Sequence, residues 1–251
     1  MKTKPRIIFR TILSMWIGFA AAGCVTVKSE THVFDKRNLS KPLIQKTSQN
    51  VLSPVYAPLA EWLVDRFQLV NQNGIGIDLG SGSGNLIIEL AQRTPAMHWI
   101  NADIEPKNFV LFFEKAKTAG VANRVSAQWA DATHMPYRDN YADIVVSRGS
   151  FPFWGDLKAG FSEIQRILKP GGIAYIGRGF SENLPVAVAR TIRDQQQKNK
   201  GFPKYNVDET ESEITRIMNE LGISSFQIHR PKPPGSEGVN YGIWVEWHKE
   251  K

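Results

Sequence analysis

The chain has 251 residues, 42% of them apolar and 22% charged, with a formal net charge of +7. That balance is that of an ordinary globular chain, long enough for one large α/β domain with a substantial core. Lys2, Lys4, Arg6 and Arg10 supply four of the seven charges before residue 24, so the remainder is only mildly basic, and no run of five Lys/Arg argues for a nucleic-acid partner.

The first 23 residues read as a targeting segment. A basic stretch to Arg10 is followed by an uncharged apolar run from Thr11 and then by Ala21-Ala22-Gly23-Cys24, which holds the only cysteine. That ending resembles the lipobox of bacterial lipoproteins, with Ala21 where Leu is usual. The resemblance implies a signal peptide over 1–23, lipidation of Cys24, and a membrane-attached chain facing the periplasm or the cell exterior. Two readings stand beside it. One is an uncleaved anchor, since Thr11 to Val27 carries no charge and reaches the low end of the roughly 17–25 residues a membrane helix needs. The other is a cytoplasmic chain whose true start lies later. Residues 24–49 are polar, contain Lys28, Glu30, Asp35, Lys36 and Arg37, show no lasting period, and read as a flexible tether to a domain over 50–251.

From Pro58, the residues Leu59, Trp62, Leu63, Arg66, Phe67 and Val70 keep helical spacing. Gly74 to Leu79 reads as a buried strand, and Leu86, Ile87, Leu90 and Ala91 as the inward face of the next helix. The alternation continues with a strand from Met97 to Ala102, a helix from Pro106 to Ala119 with Phe109, Phe112, Phe113 and Ala116 on one face, and strands from Arg124 to Trp129 and Ala142 to Ser147. Strands separated by helices predict a parallel sheet. Leu157, Phe161, Ile164 and Leu168 predict a helix ended by Lys169-Pro170-Gly171-Gly172, before a strand from Ile173 to Gly177. The signal weakens after residue 180 until Ile214, Ile217, Met218 and Leu221 mark a last helix. Ser224 to His229 and Tyr241 to Trp247 are joined by a Pro/Gly-rich segment too short for a crossover helix, and so predict an antiparallel pair.

The most informative stretch is Ile77-Asp78-Leu79-Gly80-Ser81-Gly82-Ser83-Gly84-Asn85. A strand, a glycine turn and a helix start make a ligand cradle, because glycines admit a ligand to the backbone and the free N–H groups of the helix start face it. The dinucleotide fingerprint needs a small residue at position 85, where this chain has Asn. Asp78 also opposes a diphosphate and favours a cationic ligand without phosphate, of which S-adenosylmethionine is an example. Asp103, at the end of the next strand, is placed to accept from both ribose hydroxyls. Asp131, at the end of the third, is placed to accept from the adenine amino group. Taken one at a time, each acid could instead merely cap a helix or turn.

With these residues in view, positions 74 to 180 resemble a class I S-adenosylmethionine-dependent methyltransferase of the broad type often called type 11. The matching segments are Asp78-Leu-Gly-Ser-Gly-Ser-Gly84, Ala102-Asp-Ile-Glu-Pro106, the run from Ala130 to Val146, and Glu163-Ile-Gln-Arg-Ile-Leu-Lys-Pro-Gly-Gly172. The resemblance implies a Rossmann-like, doubly wound α/β fold with a seven-stranded, mostly parallel sheet and an antiparallel last strand. It also implies S-adenosyl-L-methionine as cofactor, with Asp78, Gly80, Gly82, Gly84, Asp103, Ile104, Asp131, Ala132 and Ser147 about it.

The acceptor is expected past the strand ends, near residues 147–154 and 178–180. Phe151, Phe153 and Trp154 would form an apolar wall, and Arg148 or Arg178 would hold an anionic group; core packing of the aromatics and a structural role for Arg148 stand as alternatives. The Asn/Asp-Pro-Pro-Tyr/Phe pattern of adenine, cytosine and glutamine-amide methyltransferases is missing, which favours a small-molecule acceptor. No residue is identifiable as a catalytic base, His134 reads as an exposed loop residue, and no spacing suggests a metal. The donor is a cytoplasmic metabolite while the N-terminus directs the domain outward. A second function class therefore stays open: an exported lipoprotein that binds an adenosine-type ligand on this fold and transfers nothing.

Overall fold

The computed structural model describes residues 53–198 and 206–251. The expected signal peptide over 1–23, the lipidation site Cys24 and the tether over 24–49 lie outside the described residues. A 3₁₀ turn over Ser53–Val55 leads into α1 (Tyr56–Arg66). There follow β1 (Gly74–Leu79), α2 (Asn85–Arg93), β2 (Met97–Asp103), α3 (Asn108–Thr118), β3 (Val125–Trp129) and β4 (Ala142–Arg148). The chain continues through α4 (Leu157–Ile167), β5 (Leu168–Gly179), α5 (Val186–Lys198), α6 (Val207–Glu220), β6 (Phe226–His229) and β7 (Gly242–His248).

The seven strands form one sheet in the order β3-β2-β1-β4-β5-β7-β6. The pairs from β3 across to β5 are parallel, whereas β7 runs antiparallel to both β5 and β6. This is the doubly wound sheet that the strand and helix alternation predicts, with one reversed strand.

Side chains alternate between the two faces of a strand, and the core divides accordingly. Ile77, Leu79, Val145 and Ile176 face α4 and α6, where Phe161, Ile164, Ile214 and Ile217 are buried. Trp99, Ile144, Val146 and Tyr175 face α1, α2 and α3, where Leu59, Leu63, Leu90 and Phe112 are buried. At Gly76 the backbone has to be bare, since a Cβ there would lie 2.4 Å from the Trp99 ring. Asp156 caps α4 by accepting from Ala159 N at 2.9 Å, and Asn206 caps α6 by accepting from the N–H groups of Asp208 and Glu209.

Three expectations are corrected. The helix expected to run through Leu168 ends at Ile167, and β5 begins at once. The Lys169-to-Gly172 turn is absorbed into the sheet, because Gly171 N donates to Lys249 O at 2.8 Å and Lys249 N to Gly172 O at 2.9 Å. On α3 only Phe112 and Ala116 are buried, and Phe113 stands 44% exposed. Helix α5 lies where the sequence shows no clear period, because only its Ala189 and Ile192 are buried.

Candidate active site

The strand order reverses direction between β1 and β4, and a crevice opens beyond the strand ends at such a point. Here it is a cavity of about 330 Å³. Four adjacent strand ends line it in spatial order: Ala130, Asp131 and Ala132 after β3, Asp103 and Ile104 at β2, Leu79 and Gly80 at β1, and Arg148 and Gly149 at β4. Ser150, Phe153 and Trp154 complete the lining.

The glycine turn is held in its shape from several sides. Gly80, Gly82 and Gly84 all have positive φ, at 71°, 57° and 74°, a region that glycine adopts without strain. A Cβ on Gly80 would fall 2.2 Å from Ser150 Cβ, and one on Gly84 would fall 2.1 Å from the Phe112 ring. Asp103 Oδ2 accepts from Gly82 N at 2.7 Å, and Asn101 Nδ2 donates to Gly82 O at 2.8 Å. From α3, Lys115 Nζ donates to Ser83 Oγ and Asn85 Oδ1 at 2.8 and 2.6 Å.

Asp78, the next-to-last residue of β1, lies behind this turn and is buried, receiving the Ser81 hydroxyl at 2.6 Å. Burial pushes its carboxyl up to about 7; the Ser81 hydrogen bond opposes the shift, the charge of Asp103 adds to it, and the charge of Arg148 opposes it. A carboxyl so placed gains from any cation brought near it. Asp103 also accepts from Glu105 N at 2.8 Å. Asp131 accepts from Thr133 N and Thr133 Oγ1, both at 2.8 Å, and these bonds lower its pKa.

At the β4 end Ser150 is a hub. Its hydroxyl donates to Leu79 O at 2.9 Å and receives Trp154 Nε1 at 2.9 Å, so the 2.6 Å contact with Ser147 Oγ is one in which Ser147 donates. Arg148 reaches over the Tyr56 ring, 5.2 Å from its centroid, and its Nε is buried without a hydrogen-bond partner. Burial lowers the Arg148 pKa, against the hydrogen-bonding Tyr56 and the charge of Asp78.

Of the residues the sequence singles out, Gly80, Asp103, Ile104, Asp131, Ala132, Arg148, Phe153 and Trp154 therefore come together on one cavity. Asp78, Gly82, Gly84 and Ser147 stand behind it as the supports just described. Phe151 turns into the core with Phe161 and Ile164 and does not wall the cavity. Arg178, on β5, is not among the lining residues. Ser150, Tyr56, Asn101 and Lys115 are the contributors that sequence reasoning missed, since each acts on a partner distant along the chain.

A family model described as a methyltransferase domain matches residues 77–176. A solved structure from Methanococcus maripaludis, assigned as an S-adenosyl-L-methionine-dependent methyltransferase, is 31% identical, with a TM-score of 0.69 over 81% of this chain and 89% of that one. The chain belongs to the S-adenosylmethionine-dependent methyltransferases. Among curated methyltransferases, demethylmenaquinone methyltransferase of Thermus thermophilus is 31% identical over 38% of this chain and 43% of its own length. The chloroplastic 2-methyl-6-phytyl-1,4-hydroquinone methyltransferase of Spinacia oleracea is 26% identical over 76% of this chain and 52% of its own. The chain thus spans about half or less of these two curated relatives.

The residues of this methyltransferase fit the family's cofactor. A carboxylate has about four lone-pair sites, so Asp103, bonded to Gly82 N and Glu105 N and approached only at 3.5 Å by Asn108 Nδ2, keeps acceptor capacity for ligand hydroxyls. The backbone at Gly80 lines the cavity and has to stay bare, because a Cβ there would strike the Ser150 side chain. Among the described residues no cluster of His, Cys, Asp and Glu could hold a metal ion, and no helix is long and apolar enough to cross a membrane.

Proposed function

We propose that the chain transfers a methyl group from S-adenosylmethionine to a small-molecule acceptor. The observation that carries this reading is the delivery of Asp131, Asp103, Gly80 and Arg148 by four consecutive strand ends to a single cavity. Asp131 would accept from the adenine amino group and Asp103 from the ribose hydroxyls, which places the amino-acid end of the donor at β1 and β4. When bound, the donor supplies an electrophilic methyl on a sulfonium. What the chain then has to provide is placement and dryness, and proximity alone accounts for a large part of such a barrier. Ile104 and Phe153, which are 61% and 74% exposed at the cavity, supply apolar surface that would exclude water once covered. The curated relatives named above act on quinone-type rings by their names, which supports an apolar, ring-bearing acceptor beside Phe153 and Trp154.

A thermal-shift panel tests the reading. S-adenosylmethionine and S-adenosylhomocysteine should raise the melting temperature, whereas the NAD and NADP cofactors should not, because Asp78 and Asn85 disfavour a diphosphate at the turn. Ligand at 100 times its dissociation constant stabilises the folded chain by about 2.7 kcal/mol. A rise with NAD alone would refute the proposal.

We propose further that Cys24 is lipidated and places the domain at a membrane, on the strength of the basic, apolar and small-residue order before it. A Cys24→Ser chain should fail to incorporate labelled fatty acid, keep its unprocessed mass, and bind donor as before. Native protein recovered as soluble cytoplasm with Met1 attached would end this proposal and leave the methyltransferase reading untouched.

A further inference from the structure

Helix α3 exposes a surface that its packing does not explain. Its first turns carry the run Phe109-Val110-Leu111-Phe112-Phe113, yet only Phe112 and Ala116 of the helix are buried. Val110 is 66% exposed, and Leu111 and Phe113 stand exposed beside it. Trp129, at the end of the edge strand β3, is 50% exposed, and its Nε1 donates to Ile104 O at 3.1 Å. Ile104 lies in the loop that leads into α3 and lines the cavity, so the apolar surface continues from the helix to the cavity mouth. An exposed apolar patch of this kind marks an interaction site.

Charge and position decide what covers it. Lys107 and Lys117 stand beside the patch, and so do Glu105 and Glu114, which leaves it without net charge to attract a charged partner. A second copy of the chain seated there would close the mouth through which donor and acceptor pass. A bilayer would instead bring an apolar acceptor to the rim of the cavity with no step through water. Aliphatic and aromatic side chains suit the headgroup boundary, where Trp rings settle and lysine stems lie along apolar surface with their heads in water. Cys24, lipidated as proposed above, would hold the domain within about 100 Å of a bilayer, the most that the chain from 24 to 53 can span. We propose that α3 and Trp129 dock the domain on a bilayer surface by apolar insertion. The proposal builds on the reading of an apolar acceptor, and its test is independent of donor binding.

The test is fluorescence on the full chain carrying Cys24→Ser, which removes both the lipid and the only native thiol. One cysteine is then introduced, by Glu114→Cys on the patch or by Glu213→Cys, exposed on α6 across the sheet, and labelled with a polarity-sensitive dye. With phosphatidylcholine vesicles the label at 114 should shift to the blue and be quenched by spin-labelled lipid at a depth of about 5–10 Å into the headgroup and acyl boundary. The label at 213 should keep its emission in water. Adding Val110→Ser and Phe113→Ser should abolish the response at 114, with an unchanged melting transition showing that the chain is folded. Equal responses at 114 and 213, no response at either, or a response that survives the two serines would each overturn the proposal. So would a blue shift at 114 that grows with protein concentration in the absence of vesicles, the result expected of a second copy. Failure of the same chain to bind S-adenosylhomocysteine would count against the methyltransferase reading and leave the vesicle result standing.

Discussion

Asp103→Ala is expected to reduce affinity for S-adenosylhomocysteine by about a hundredfold or more, since hydrogen bonds to a charged group contribute about 1.5–3 kcal/mol each and two ribose hydroxyls would lose their acceptor. The structure adds a second loss. The same carboxylate receives Gly82 N at 2.7 Å and Glu105 N at 2.8 Å, so its removal also frees the glycine turn and the start of the loop before α3. Asp131→Ala should cost less, about tenfold, because one amino group is at stake and the Thr133 contacts fix only a local turn. Asp103→Asn belongs between wild type and Asp103→Ala, as it retains an acceptor oxygen and loses the charge. Calorimetric titration of the three variants ranks them, and wild-type affinity in Asp103→Ala would take this residue out of the site.

A large effect on stability is expected far from the cavity, at Glu246. This residue of β7 is buried between Arg66 of α1, whose Nε lies 2.7 Å from Oε2, and His229 of β6, whose Nε2 lies 2.9 Å from the same oxygen. Burial raises its pKa, but the hydrogen bonds and charges of His229 and Arg66 together outweigh burial and hold it at about 2, below the ordinary 4.5. A carboxyl depressed in the folded state stabilises above its unfolded value, and the contribution fades as pH falls through the folded one. Glu246→Gln should therefore lower stability at pH 7 by about 2–3 kcal/mol, less than the ~3.4 kcal/mol that the full shift implies because Arg66 is partly exposed. The gap between wild type and variant should shrink as pH falls from 4.5 toward 2. Urea denaturation at pH 7, 4 and 2.5 measures it, and a gap of constant size would show that the carboxylate charge is not what stabilises this contact.

The sequence made most of the architecture legible because its signals are local. A parallel strand buried on both faces is a short apolar run, a surface helix is a 3.6-residue period, and Gly, Pro and Asn mark where one ends and the next begins. The acids at 78, 103 and 131 lie at or just past the ends of β1, β2 and β3, so recognising the strands was enough to bring them to one edge of the sheet. The reversed β7 followed from a connection too short for a crossover.

Residues whose role depends on a distant partner stayed hidden. Arg66 and Glu246 are 180 positions apart and meet only because α1 packs on the face that β7 presents. Phe151 and Phe153 are two positions apart in sequence, yet the 3₁₀ turn that holds both buries the first and leaves the second 74% exposed at the cavity. Helix α5, with little apolar surface to bury, left almost no period to read. Composition and spacing establish which elements form and which residues end them, since those are properties of the chain within a few residues. The register between strands and the packing of helices across the sheet establish which side chains share a cavity, because that depends on contacts no short stretch of chain contains.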